Sequence, residues 1–308
     1  FFFHFYSLQA LPIGFRINQG DLEYKELNSE NFRVYHDART PHEAAMIINS
    51  LEAIKPTYER WFQAKRQKLL PIISSAVTSN PSFANFVTDV IELQTLGQGD
   101  RDLFWHEYAH TTMYLQLRNI FGPAGAVLHL PWVPAWFIEG LAEALTVSVV
   151  SEIMAALERY HAITGRWPSY DRMHNLYGTG NFFEEGYATS GAFVAWIIRT
   201  YPENLIPDIL NKLFWYSMPW YYVLSANPFS SFMPMDNAFY ETTGLRGYEL
   251  YEKYKKEATA YWQSQKKAPF ITNKKVRKIR FGSTPFLKIK NERLYYRVAQ
   301  SQVASERE

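Results

Sequence analysis

Apolar and polar positions change places along this chain in two rhythms. Phe32-Arg33-Val34-Tyr35-His36 alternates at every residue, the period of a half-buried strand. From Thr40-Pro41 the period lengthens: Ala44, Ile47, Leu51, Ile54 and Tyr58 share one face of a helix extending to about Gln63. A threonine cap and a first-turn proline open it. Pro56 lies inside the pattern and predicts a kink or an early end. Residues 69–96, rich in Ile, Val, Ser and Asn and broken at Asn80-Pro81, fit two or three short strands. The last of these is Asp89-Val90-Ile91-Glu92-Leu93-Gln94. Past Gly97-Gln98-Gly99-Asp100 the helical period returns and holds to Gly122-Pro123. A loop over residues 122–131 leads to a second helix, predicted from Pro134 to about Val150. The chain then reads as mostly helical to Trp262, with loops near residues 175–181 and 227–234. Beyond residue 265 the period shortens again. Short strands are predicted around Val276, Ile279 and Phe281, around Phe286, Leu287 and Ile289, and around Leu294, Tyr295 and Tyr296. The class is α+β.

Composition narrows the chemistry. With 308 residues, 47% hydrophobic and 17% aromatic, the chain can bury a large core, which excludes a disordered, collagen-like or disulfide-stapled protein. Without cysteine, all-cysteine and Cys₂His₂ zinc sites and cysteine nucleophiles are excluded. Any metal must be held by His, Asp or Glu. The formal net charge of +2 hides a split. Residues 266–308 carry 12 Lys/Arg against 3 Asp/Glu, and the first 265 residues carry 20 against 27. This predicts an N-terminal segment over 1–30, a main domain over 31–265 and the beginning of a truncated β-rich domain over 266–308. In the basic segment Lys and Arg alternate with apolar residues, as on half-exposed strands, so no nucleic-acid partner is expected. The apolar opening, Phe1 to Ala10, fits either the end of a signal peptide or a buried strand or hairpin. The signal reading, with the absence of cysteine, places the protein in the periplasm or outside a bacterial cell. No stretch is long and apolar enough for a transmembrane span.

One motif carries chemistry. Trp105-His106-Glu107-Tyr108-Ala109-His110 is H-E-x-x-H within the helix that follows Asp100. A 3.6-residue period sets His106 and His110 one turn apart on one face, where both imidazoles reach one zinc ion. Glu107, rotated by about 100 degrees, borders the metal without coordinating it and is placed to accept a proton from a zinc-bound water. In the next helix, Pro134-Ala135-Trp136-Phe137-Ile138-Glu139-Gly140-Leu141-Ala142-Glu143 carries two carboxylates at i and i+4. Glu139 can complete a His₂Glu zinc shell. Glu143, one turn on, is a candidate to orient His106 or His110 through the second ring nitrogen, or else a solvated surface acid.

These two motifs together resemble the gluzincin metallopeptidases, specifically the bacterial peptidase-MA-like group with its W-x-x-E-G-x-A helix. The resemblance covers residues 31–265. It implies a small N-terminal mixed sheet, a mainly helical C-terminal subdomain, Zn²⁺ on His106, His110 and Glu139, and Glu107 as general base. The 28 residues between His110 and Glu139 exceed the thermolysin-like and aminopeptidase-like spacing. Ile138 replaces the asparagine common in the aminopeptidase branch, and the G-x-M-E-N signature for a free amino terminus is missing, which favours an endopeptidase. Glu184-Glu185-Gly186-Tyr187-Ala188-Thr189-Ser190-Gly191 resembles the helix whose tyrosine stabilises the oxyanion. Tyr187 takes that role by resemblance, with His129 and His174 as alternatives. Asp89 to Gln94 stands where such enzymes keep an edge strand that pairs with a peptide substrate. The aromatic residues from Phe214 to Phe232 either line a cleft or pack helix faces. A β-propeller often follows this peptidase in cis, and residues 265–308 resemble its opening strands. The function implied is zinc-dependent peptide hydrolysis. The alternative is a catalytically weak or non-peptidase envelope protein whose peptidase fold supports a propeller that binds partners.

Overall fold

A computed structural model describes residues 23–75, 82–94, 101–118, 122–146, 149–174, 176, 183–216, 234–265, 287–290 and 293–296. The opening decapeptide, the strand expected over 276–281, the aromatic residues 220–232 and nearly all of the loop expected over 175–181 lie outside them. The chain divides into two compact units, residues 1–264 and 265–308.

The first unit opens with a five-stranded mixed sheet, β1 (Tyr24–Asn28), β2 (Phe32–Asp37), β3 (Leu70–Ser75), β4 (Phe83–Asn85) and β5 (Val90–Gln94), in the order β1-β2-β3-β5-β4. In β2 the buried Phe32 and Val34 alternate with half-buried Arg33 and Tyr35, as the period requires. β1 pairs antiparallel to β2, and its exposed residues include Lys25 and Glu26, charges suited to an edge. β2 and β3 are parallel, so the chain crosses over between them, and α1 (Pro41–Phe62) is that crossover. α1 contains Pro56 yet runs on to Phe62, ending where Gln63 turns left-handed. The kink-or-stop expectation is therefore corrected in its second half: the buried face from Ala44 to Phe62 is continuous in the core and carries the helix past its missing hydrogen bond.

A second correction concerns the sheet edge. The strand predicted from Asp89 is an inner one: β5 pairs parallel with β3 on one side and antiparallel with β4 on the other. Asp89 itself closes the β4–β5 turn at φ +58°. β4, only three residues long, is the outermost strand on this side.

Among the described residues, helices make most of the rest of this unit. α2 (Arg101–Arg118) packs on α1 and on the β4–β5 side of the sheet. The stretch expected as a loop is instead α3 (Pro123–His129) and a 3-10 turn (Leu130–Trp132). The proline after Gly122 starts the helix, and Ala126 and His129 bury its inner face. The single helix expected over 134–150 is two, α4 (Ala135–Leu145) and α5 (Val149–Thr164). Thr146 ends α4 by turning extended, its hydroxyl donating to the Ala142 carbonyl. α6 (Tyr170–His174), α7 (Phe183–Thr200), α8 (Leu205–Tyr216), α9 (Pro234–Thr243) and α10 (Gly247–Ser264) complete the subdomain. Trp136 of α4 anchors it, fully buried among Phe137, Phe193 and Phe239. No described helix is long and apolar enough to cross a membrane. In the second unit β6 (Leu287–Lys290) and β7 (Arg293–Tyr296) pair antiparallel, two of the three strands expected there.

Candidate metal centre

α2 is held against α1 before it presents any chemistry. Trp105 donates its indole N–H to the Ser50 carbonyl of α1 at 3.2 Å, and Tyr108 stacks on Tyr58. The hydroxyls of Thr111 and Thr112 both donate to the Tyr108 carbonyl at 2.9 Å. The α1 contacts of Trp105 and Tyr108 set the rotation of α2, with His106 and His110 together toward α4. α4 starts at Pro134, whose carbonyl accepts from the N–H groups of Phe137 and Ile138, and it turns Glu139 and Glu143 back toward α2.

Three ligand-type atoms meet between the helices. His106 Nε2 and His110 Nε2 are 3.1 Å apart, and Glu139 Oε2 lies 3.2 Å from the first and 3.3 Å from the second. Glu107, His110 and Glu139 are buried, and His106 is partly so. On its far side His106 places Nδ1 3.1 Å from Glu143 Oε1. An Nδ1–H donated to that carboxylate leaves the Nε2 lone pair facing the cluster.

The donor set fits zinc. Bond lengths of about 2.0–2.2 Å in a tetrahedral shell separate ligand atoms by about 3.3–3.6 Å, close to the three separations seen here. Two imidazoles and a carboxylate are also the ligands a cysteine-free chain can offer. The electrostatics agree. Burial disfavours a charged His106, yet Glu139 and Glu143, with Glu107 nearby, outweigh it and raise its pKa to about 10. Burial would likewise raise Glu139, but His110 and His106 hold its carboxyl well below the ordinary range. The pocket thus favours a positive charge between the three groups.

Glu107 borders the cluster from the sheet side. Burial lifts its carboxyl above the ordinary value, opposed by His106 and His110, and the backbone N–H of Ala84 donates to it. Its Oε2 is buried without a hydrogen-bond partner among the described residues. β4 therefore touches the candidate base directly. Ala84 is a site residue that sequence reasoning misses, because a main-chain donor leaves no side-chain signature. Tyr114 is another: its ring lies parallel to that of His110 at 6.0 Å, one turn along α2, and i+4 spacing is the signal that could have found it. Burial, reinforced by Glu139 and Glu107, keeps its phenol protonated.

Tyr187 of α7 lies with its ring parallel to His106, centroids 6.2 Å apart, and is partly buried. His129 is buried in α3 against Phe214 of α8, 4.8 Å between rings. His174 lies against Tyr170 and Trp136. At the start of the aromatic stretch Phe214 and Tyr216 are buried, whereas Trp215 is 60% exposed.

No protein-family model matches the chain, and no curated protein matches it. Among solved structures, a crystal structure of a two-domain M1 zinc metallopeptidase mutant bound to L-tryptophan is similar, at 11% sequence identity and a TM-score of 0.41. The similarity covers 78% of this chain and 51% of that one, so the chain matches about half that protein's length.

Proposed function

We propose that this protein is a zinc-dependent peptidase. The observation that carries the reading is the triangle of His106 Nε2, His110 Nε2 and Glu139 Oε2, with edges of 3.1–3.3 Å, beside the buried and incompletely hydrogen-bonded carboxylate of Glu107. His106, His110 and Glu139 would hold the ion. When bound, zinc supplies Lewis acidity that polarises a scissile carbonyl and acidifies water.

The chain's own groups do the rest. Glu107 accepts the proton of the attacking water through Oε2 and returns it to the leaving amine. Glu143 holds the Nδ1–H of His106, which fixes the tautomer. Tyr187, whose ring lies against His106, would donate its hydroxyl to the developing oxyanion. β4, whose Ala84 already meets Glu107, is the strand along which an extended peptide would pair. Cleavage within peptides, secretion or periplasmic residence, and a propeller continuing from β6 and β7 belong to the same proposal. They rest on the sequence resemblance.

The test measures bound zinc and hydrolysis of quenched peptides by wild type, Glu107→Gln and Glu139→Ala. Glu107→Gln is expected to keep zinc and lose about 10²–10⁴-fold in kcat. Glu139→Ala is expected to lose the metal. Full zinc occupancy in Glu139→Ala would overturn the ligand set. Comparing amino-blocked with free peptides reads the mode: an endopeptidase cleaves both.

A further inference from the structure

At two glycines α4 and α7 approach more closely than side chains normally allow, and both glycines adjoin residues of the candidate metal centre. A Cβ built on Gly140, next to Glu139, would lie 2.6 Å from the Ser190 carbonyl oxygen of α7. A Cβ on Gly191 of α7 would lie 2.7 Å from Glu143 Cβ and 2.5 Å from Met154 Sδ. The two glycines form a reciprocal pair, each admitting a neighbour from the other helix. Met154 Sδ can swing aside, being the end of a flexible chain. Glu143 Cβ cannot, because it is fixed to the backbone of α4.

Glu143 faces His106 Nδ1 at 3.1 Å. One turn before Gly191, the same helix carries Tyr187 over the His106 ring. α7 therefore approaches His106 by two routes, through Tyr187 directly and through Glu143 indirectly. We propose that Gly191 is a positioning residue of the metal centre: by leaving room for Glu143 it sets the Glu143–His106 contact, and with it the ring orientation of His106. The atoms nearest a Cβ at Gly191 belong to Met154 and Glu143, and its action runs through Glu143. This inference rests on the metal-site reading above and deepens it.

The experiment is a double-mutant comparison of Gly191→Ala and Glu143→Ala, singly and together, in the full chain. Two readouts are taken: the zinc dissociation constant by chelator competition, and the imidazole Nδ1–H resonance of His106 in metal-free, ¹⁵N-histidine-labelled protein. Gly191→Ala is expected to weaken zinc about 10- to 100-fold, the range typical of lost outer-shell partners. It is also expected to abolish or shift the Nδ1–H resonance. Glu143→Ala keeps the Cβ that collides with residue 191 but has no carboxylate. In that background Gly191→Ala should change zinc affinity less than about twofold, because the route through Glu143 is already cut. Equal, additive losses in both backgrounds would overturn the proposal, as would an unaltered Nδ1–H signal in Gly191→Ala. Should Gly191→Ala fail to fold, Met154→Ala/Gly191→Ala removes the sulfur from the collision and leaves the one with Glu143. A wild type that takes up no zinc would defeat the metal reading alone, while the resonance of the metal-free protein still decides the role of Gly191.

Discussion

His106 is flanked by Glu139 at Nε2, Glu143 at Nδ1 and the Tyr187 ring across its face. Each neighbour can be assigned a separate effect. Tyr187→Phe keeps the ring and removes only the hydroxyl, so zinc affinity should be unchanged while kcat falls by about 10²-fold, the loss typical of one oxyanion donor. Zinc titration and peptide kinetics on the same preparation check this; a variant of full activity would move the donor role elsewhere. The residues of the cluster were legible because their spacing is periodic: His106 and His110, like Glu139 and Glu143, are i and i+4 pairs that any α-helix puts on one face. Ala84 was not legible, since it acts through its backbone. Gly191 stood in the sequence as one of several small residues on its helix, and only its separation from Glu143 Cβ distinguishes it.

Helices were easier to read than strands. The long amphipathic run of α1 survives Pro56 because its buried face spans five turns, whereas three-residue β4 carries too short a pattern to announce an edge. The order of a mixed sheet depends on crossovers, which the alternation within one strand does not encode. Two contacts that hold the sheet's turns are testable. Asp89 closes the β4–β5 turn, and its carboxylate pairs with both Arg66 and Arg118, two buried guanidiniums. Asp89→Ala leaves both without this counter-charge and puts a Cβ-branched-free but still strained residue at φ +58°, so urea unfolding should show a loss of about 3 kcal/mol. A loss below 1 kcal/mol would mean the arginines find other partners. At the opposite edge, Glu52 of α1 accepts from the Ser29 hydroxyl at 2.6 Å and from the backbone and side chain of Asn31 at 3.0 and 2.7 Å, tying down the β1–β2 turn. Burial would raise its pKa, but these donors outweigh burial and lower it. A lowered folded-state pKa gives stability that is present above the unfolded value of 4.5 and is lost as pH falls through the folded one. Glu52→Gln should therefore cost about 1 kcal/mol at pH 7, allowing for solvent screening, and progressively less in acid. A difference between the two proteins that stays constant from pH 7 to pH 3 would exclude this origin.

Among the described residues of the first unit the candidate ligands come from two layers. His106 and His110 stand on α2, which packs against the sheet and α1, while Glu139 stands on α4, which packs into the helical subdomain through Trp136 and α7. The sequence division into a strand-rich opening and a helical remainder left α2 and α4 together in the helical part; it did not carry that α2 packs on the sheet or that the two helices face each other with the candidate ligands between them. A metal ion held there would cross-link the two layers, which also meet where α3 and α8 pack on α2 and where Tyr58 of α1 donates to the Leu145 carbonyl of α4. An ion bound only by the folded protein stabilises it by about 4 kcal/mol at a free concentration a thousandfold above Kd. For a domain of this size that corresponds to a rise in Tm of about 10 °C. Scanning calorimetry with saturating zinc and with chelator should show that difference in wild type. In His110→Ala, which empties one corner of the triangle, the two scans should coincide to within about 2 °C. Equal Tm values in wild type would mean that zinc does not join the layers. A shift persisting in His110→Ala would place the stabilising ion away from this seam.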